Sequence, residues 1–293
     1  MNLSQAKSIL IIAFLGLNIF LGYHLWLEPQ TTVVGPTQQE ELERLEKELA
    51  EANVQLKVSL PRQVQRSSFL TVKPAEFEKI AERILSAEEE LSVQREEDRN
   101  IYITEKGRLS VHRSGLITYE RCSGEILDDG ATTMEKDDAL ELIEGFIERY
   151  ELNPGSAALD YLLQTPETGL WQARYTQSYQ GLPLFTGYLE VVAGREGVRE
   201  FALYWLEPLE FQEGNEMEVI SITVALRRLL EELETYSNEE TAVTNISFGF
   251  YSKEYDAQKW EMPPVWRFRV NDTQTYYINA FTGNLEENVQ HIP

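Results

Sequence analysis

EKDDALELIEGFIERY (residues 135–150), ended by Asn153-Pro154-Gly155 and followed by WQARYTQSYQGLPLFTGYLEVV (171–192), holds two hydrophobic periods in succession. In the first segment Ala139, Leu142, Ile143, Phe146, Ile147 and Tyr150 recur at three- and four-residue steps, which makes one apolar stripe on a helix. Thr132-x-x-Glu135 ahead of it reads as a capping box. In the second, apolar and polar residues alternate, as they do in a strand with one buried face. Strands are predicted at Leu159 to Leu163, Trp171 to Tyr179, Tyr188 to Val192 and Val198 to Tyr204, with Gln180-Gly181-Leu182-Pro183 as a turn between two of them. A helix followed by antiparallel strands predicts an α+β fold, with helices covering one face of a sheet.

The same plan recurs on both sides. Upstream, after Pro74, Phe77, Ile80, Ala81, Ile84 and Leu85 share a helix face. Short strands follow near Ile101 to Ile103, Leu109 to Val111 and Leu116 to Tyr119, separated by Gly107 and Gly115. Between that helix and its strands, AEEELSVQREED (87–98) reads as a solvated acidic loop. Downstream, a helix from about Ser221 buries Ile222, Leu226, Leu229, Leu230 and Leu233. Strands run through Ile246 to Tyr251, Val265 to Val270 and Thr275 to Asn279. Trp171-Gln-Ala-Arg174 and Trp266-Arg-Phe-Arg269 both place W-x-x-R at a strand start, a weak sign of repetition.

Nearer the N-terminus, Leu42, Leu45, Leu49, Ala52 and Leu56 recur at heptad spacing. Two heptads fit a short coiled-coil seam and equally an amphipathic helix lying on the domain. Before it, ILIIAFLGLNIFLGYHLWL (9–27) carries no formal charge. As a helix this run is about 28 Å long, close to one hydrocarbon core. Tyr23 and Trp26 suit a membrane interface, and the apolar run exceeds a signal-peptide core, with no A-x-A-like site after it. Lys7 before the span and Glu28, Glu40 and Glu41 after it place the N-terminus in the cytoplasm. The expected organisation is a short cytoplasmic N-terminus (1–8), a transmembrane helix (9–27), a linker and amphipathic helix (28–60), and an extracytoplasmic α+β domain (61–293). Repeats in that domain lie near 70–122, 132–206 and 220–286. Asn18 lies mid-span, where an amide either meets another helix or bonds its own backbone. Phe14, Asn18, Leu21 and Leu25 on the span, with Leu42, Leu45 and Leu49 beyond it, are the candidate partner contacts.

Composition narrows the function. With 49 acidic and 26 basic residues the net charge is −23, which repels nucleic acid phosphates and anionic lipid heads. The single cysteine, Cys122, cannot form an internal disulfide and is expected to be a buried core residue. His24, His112 and His291 are scattered, and no zinc spacing, nucleophile elbow, P-loop or dinucleotide glycine pattern occurs. The aspartate pairs Asp128-Asp129 and Asp137-Asp138 are what so acidic a composition produces. Trp171, Trp205, Trp260 and Trp266 are expected to pack the core rather than form a recognition surface. Neither catalytic residues nor a cofactor or metal site is expected.

Four segments carry a family resemblance. Ser4 to Leu21 (SQAKSILIIAFLGLNIFL) resembles the opening of the YycI family. Tyr179-Gln-Gly-Leu-Pro-Leu-Phe185 resembles that family's Y-x-G-x-P-I-F turn. Pro264-Val-Trp-Arg267 and Tyr276-Tyr-Ile-Asn-Ala-Phe-Thr-Gly283 resemble its P-V-W-R and Y-Y-I-N-A-x-T-G segments, in the same order. The last segment is also similar to the end of PepSY-type domains. The resemblance implies an accessory protein of the WalRK two-component system. Such a protein pairs with a YycH-like partner and modulates the sensor kinase WalK, which controls cell-wall metabolism, partly through the transmembrane helix. It brings no catalytic residues. The acidic stretch 88–99 departs from the family pattern. The other reading is a membrane-anchored PepSY-type binding module or inhibitor acting on a wall enzyme or protease.

Overall fold

The computed structural model describes residue 14 and residues 38–61, 64–75, 78–85, 92–122, 134–153, 157–165, 168–212, 214–234, 241–255 and 257–290. Its helices are α1 (Gln38–Glu51), α2 (Glu78–Leu85), α3 (Lys136–Arg149) and α4 (Ile222–Glu234). After α1 come β1 (Val54–Leu56), β2 (Arg66–Ser67) and β3 (Leu70–Pro74). After α2 come β4 (Ser92–Arg95), β5 (Arg99–Ile103), β6 (Gly107–His112) and β7 (Ile117–Arg121). After α3 come β8 (Ala157–Gln164), β9 (Trp171–Tyr179), β10 (Leu182–Gly194), β11 (Gly197–Tyr204), β12 (Leu206–Phe211) and β13 (Met217–Glu218). After α4 come β14 (Thr241–Phe250), β15 (Trp260–Met262), β16 (Pro264–Val270), β17 (Gln274–Asn279) and β18 (Leu285–Gln290). The fold is α+β with a mostly antiparallel sheet.

The main sheet runs β18-β17-β16-β14-β10-β11-β7-β6-β5-β4, with β9 and then β8 branching from β10 and β1 pairing with β14. Among the described residues only β1 with β14 and β10 with β14 pair in parallel within it. The β9–β10 hairpin closes at Tyr179↔Leu182 through Gln180 (φ 50°) and Gly181 (φ 81°). Two consecutive positive φ values make a type I′ turn, whose twist matches that of the strands it joins.

Alternation along the strands builds two cores of like design. Ala173 and Tyr175 of β9, Leu189 and Val191 of β10, and Phe201 and Leu203 of β11 all face α3, which supplies Ile143 and Ile147. Ala81 and Ile84 of α2 close the same cluster. The second core sets Trp266 and Phe268 of β16 and Tyr276 and Ile278 of β17 against Leu226, Leu229 and Leu233 of α4, and α1 covers it with Leu45 and Leu49. Each such side chain contributes about 1.5–3 kcal/mol when fully buried. A small three-stranded sheet, β12-β3-β15, closes a third cluster around Leu70, Val72, Tyr204 and Met262.

Several expectations change here. Helix α2 adds to the core of α3, and β7 pairs with β11. Leu45–Pro293 form one compact unit. Helix α3 starts at Lys136 with Glu135 at the N-cap and no side-chain cap bond, while Thr132 lies outside the described residues. Asp137 and Asp138 in the first turn satisfy the helix dipole instead. The supposed acidic loop contains β4, a strand exposed along its whole length. Cys122 is exposed, not buried, because it follows the last residue of β7, beyond the cover of the core. Among the described residues no helix is long and apolar enough to cross a membrane. The Ile9 to Leu27 run lies outside them except for Phe14, which is helical and 66% exposed.

Candidate functional site

Behind each core the other face of the sheet carries charged residues, and these meet in a largely buried seam. Strand β16 shows this in its own pattern, since all seven of its residues are buried. Trp266, Phe268 and Val270 enter the core under α4, which leaves Arg267 and Arg269 on the opposite face. Two buried guanidiniums need an anion, because an unpaired buried charge costs several kcal/mol. Asp160 of β8 supplies it. A bulge between Leu159 and Tyr161 interrupts the β8–β9 register at Asp160 and re-aims its side chain.

Arg267 donates from Nη1 to Asp160 Oδ2 (2.6 Å) and from Nη2 to Asp160 Oδ1 (3.0 Å), a two-pronged pairing. Its Nε donates to Ser247 Oγ at 3.0 Å, and the guanidinium stacks 4.4 Å over the Phe185 ring. Arg269 Nη2 lies 2.9 Å from Asp160 Oδ2, and its guanidinium lies 4.9 Å from the Tyr161 ring centre. A second ion pair adjoins the first. Arg174 Nη1 donates to Glu190 Oε2 at 3.1 Å, Tyr161 donates to the same oxygen at 3.3 Å, and Arg174 stacks 4.1 Å over Tyr188. Burial alone would raise the Asp160 carboxyl. The charge and hydrogen bonds of Arg267, with the charges of Arg269 and Arg174, outweigh it and hold that carboxyl below the usual range. Burial raises the Tyr277 phenol beside them.

The seam opens into a cleft of about 790 Å³ with Arg174 and Glu190 at its inner end. Arg108, Arg199, Glu120 and Glu200 line the walls along β6, β7 and β11, and β18 borders the opposite side. Charges of both signs suit a polar surface or an extended polar chain. Asp160, the most enclosed carboxylate in the seam, is held ionised by guanidiniums and has no proton to donate. Among the described residues no group of His, Cys, Asp and Glu is placed to hold a metal ion.

The two W-x-x-R segments prove structurally equivalent. Trp171 donates its indole N–H to the carbonyl of Met134 (2.9 Å), and Trp266 donates to the carbonyl of Ile220 (3.1 Å). In each case the acceptor lies two residues before the helix of that half. Both arginines meet carboxylates, Arg174 its cross-strand neighbour Glu190 and Arg269 the more distant Asp160 of β8. Trp205, Trp260 and Trp266 are buried and Trp171 half-buried, as expected of core residues.

Of the predicted contact residues, Phe14, Leu42, Leu45 and Leu49 are among the described ones. Asn18, Leu21 and Leu25 lie outside the described residues, and Leu42 lies on α1. Leu45 and Leu49 are 0% and 4% exposed in the core under α4, so their apolar area is covered by the chain itself. Glu48 fixes the helix there through Arg227, at 2.7 Å. Of the two readings of the heptad seam, the structure has the helix lying on the domain. Asp160, Glu190 and Arg267 were not read from the sequence. The available signal was Val-Trp-Arg-Phe-Arg-Val (265–270), two arginines on one face of an apolar strand that require a carboxylate elsewhere.

A sequence model of the YycI family, described as YycI protein, matches residues 34–281 and so spans both cores and the seam. Among solved structures the chain is similar to an uncharacterized protein from Eubacterium rectale, with a TM-score of 0.54 and 14% identity. The match covers 85% of this chain and 99% of that one, and it speaks for the fold alone. No curated protein matches. The family match takes in the Tyr179 to Phe185 turn and Trp266 with the helix it pins: the chain belongs to the YycI family.

Proposed function

We propose that this chain is a single-pass membrane protein that modulates a WalK-like sensor histidine kinase together with a YycH-like partner, and through it cell-wall metabolism. The family match over residues 34–281 carries the reading, since the YycI family has an accessory role in the WalRK two-component system. The uncharged run from Ile9 to Leu27, with Lys7 before it, supports an anchor whose N-terminus faces the cytoplasm. The chain is non-catalytic in this reading. Its most enclosed carboxylate is tied to two arginines, which fits a scaffold rather than an acid–base catalyst. The test is co-purification from membranes. The full chain should bring down the kinase and the YycH-like protein, and a reporter after Pro293 should be active only outside the cytoplasm. A mature chain starting near residue 28, or a kinase that never co-purifies, would refute it.

A further inference from the structure

On the helix side of the sheet, away from the seam, lies a cavity of about 450 Å³ lined by Glu144, Ile147, Glu148, Glu151, Asn153 and Tyr175. Glu144 and Glu148 are one turn apart on α3, exposed, and without a cation partner among the described residues. Like charges at this spacing destabilise a helix, and the negative end of its dipole adds to the cost. The basic residue of that last turn, Arg149, stacks on Tyr150 instead. From the core side Tyr175 lines the same cavity. It is 6% exposed, and its hydroxyl has no hydrogen-bond partner among the described residues. Leaving a buried hydroxyl unpaired costs about 1–3 kcal/mol. Two carboxylates and this hydroxyl line the one cavity.

We propose that this cavity receives the ammonium group of a lysine side chain from a partner protein. A single metal ion has too few ligands here: among the described residues no group of three or more His, Cys, Asp and Glu is placed to hold one. An ammonium offers three divergent donors, for Glu144, Glu148 and the Tyr175 oxygen, whereas a guanidinium favours one carboxylate in a flat fork. The apolar wall of Ile147 and the Tyr175 ring suits the four-carbon lysine stem. Burial, then the Glu144 charge, pushes the phenol up to about 12, so it stays protonated and can accept from the ammonium. A net charge of −23 draws basic partner surfaces toward the chain. The site stands independently of the kinase assignment.

The test uses the full chain in detergent micelles with labelled isoleucine methyl groups. The probe is the blocked peptide acetyl-Gly-Lys-Gly-amide, compared with its norleucine counterpart. The lysine peptide should shift the Ile147 methyl resonance saturably, and the norleucine peptide should not. The double change Glu144→Gln with Glu148→Gln should weaken binding about tenfold, and Tyr175→Phe about fivefold. The Ile143 methyl, deeper in the same core, reports whether each variant remains folded. An equal response to norleucine, binding indifferent to the glutamine changes, or no shift with either peptide would overturn the proposal. So would calcium chloride alone producing the Ile147 shift at micromolar concentration.

Discussion

Asp160 holds two arginines of another strand, and its loss is felt through both. Changing Asp160 to Asn leaves Arg267 and Arg269 buried without their anion, at an expected cost of about 3–5 kcal/mol at neutral pH. Urea unfolding of residues 35–293 measures it. Because the folded-state carboxyl is depressed below its ordinary 3.8, its stabilisation is complete above that value. It is lost as pH falls below 3.8 through the depressed folded value. Wild-type stability should therefore drop in that window, and the Asp160→Asn protein should lack this component. A parallel fall in both would separate Asp160 from acid unfolding. Trp266 makes a second residue-scale prediction. Trp266→Phe keeps most of the ring but leaves the Ile220 carbonyl unpaired, which should cost about 1–3 kcal/mol. Trp171→Phe should cost less, since Trp171 is half-buried and water can reach its carbonyl partner.

At the scale of the elements, α1 is the instructive case. Its heptad spacing allowed a seam for a partner, but Leu45 and Leu49 pack under α4. Leu45→Ala or Leu49→Ala should each destabilise residues 35–293 by about 2–5 kcal/mol in thermal or urea unfolding. Unchanged stability would mean the helix is not part of the core. Helices α3 and α4 and the strands from Trp171 to Tyr204 were legible because each buries one face, and a period of 3.6 or 2 follows from that directly. Strand β16 was legible as a strand, but its partner was not. The Asp160 bulge depends on register, and a bulge leaves no periodic trace. The capping box misled because Thr132 and Glu135 have the right spacing, while the helix begins one residue after Glu135. The acidic reading of 87–98 hid β4, whose exposed residues are held by the pairing with β5 and show no hydrophobic alternation. Pairing between distant strands, not local pattern, makes the seam.

For the whole molecule, two helix-covered cores joined through a buried ionic seam describe a scaffold, which suits a protein that presents surfaces to others. Residues 35–293 should unfold in one cooperative step, because β10 of one half pairs with β14 of the other and Asp160 of β8 binds Arg267 and Arg269 of β16. Two resolved transitions would show that the halves are independent. In the proposed role the anchor is also a contact. Asn18→Leu should leave membrane insertion intact and weaken co-purification with the kinase by about 1 kcal/mol, or several-fold. Replacing residues 9–27 with an unrelated span should weaken it further, because shape complementarity is lost as well. The most direct measurement is kinase autophosphorylation in vesicles containing the WalK-like kinase and the YycH-like protein, with and without this full chain. Adding the chain should change the rate, and the Asn18→Leu chain should need a higher density in the membrane to do the same. An autophosphorylation rate identical with and without the chain, at a density where all three proteins are inserted, would contradict the regulatory role.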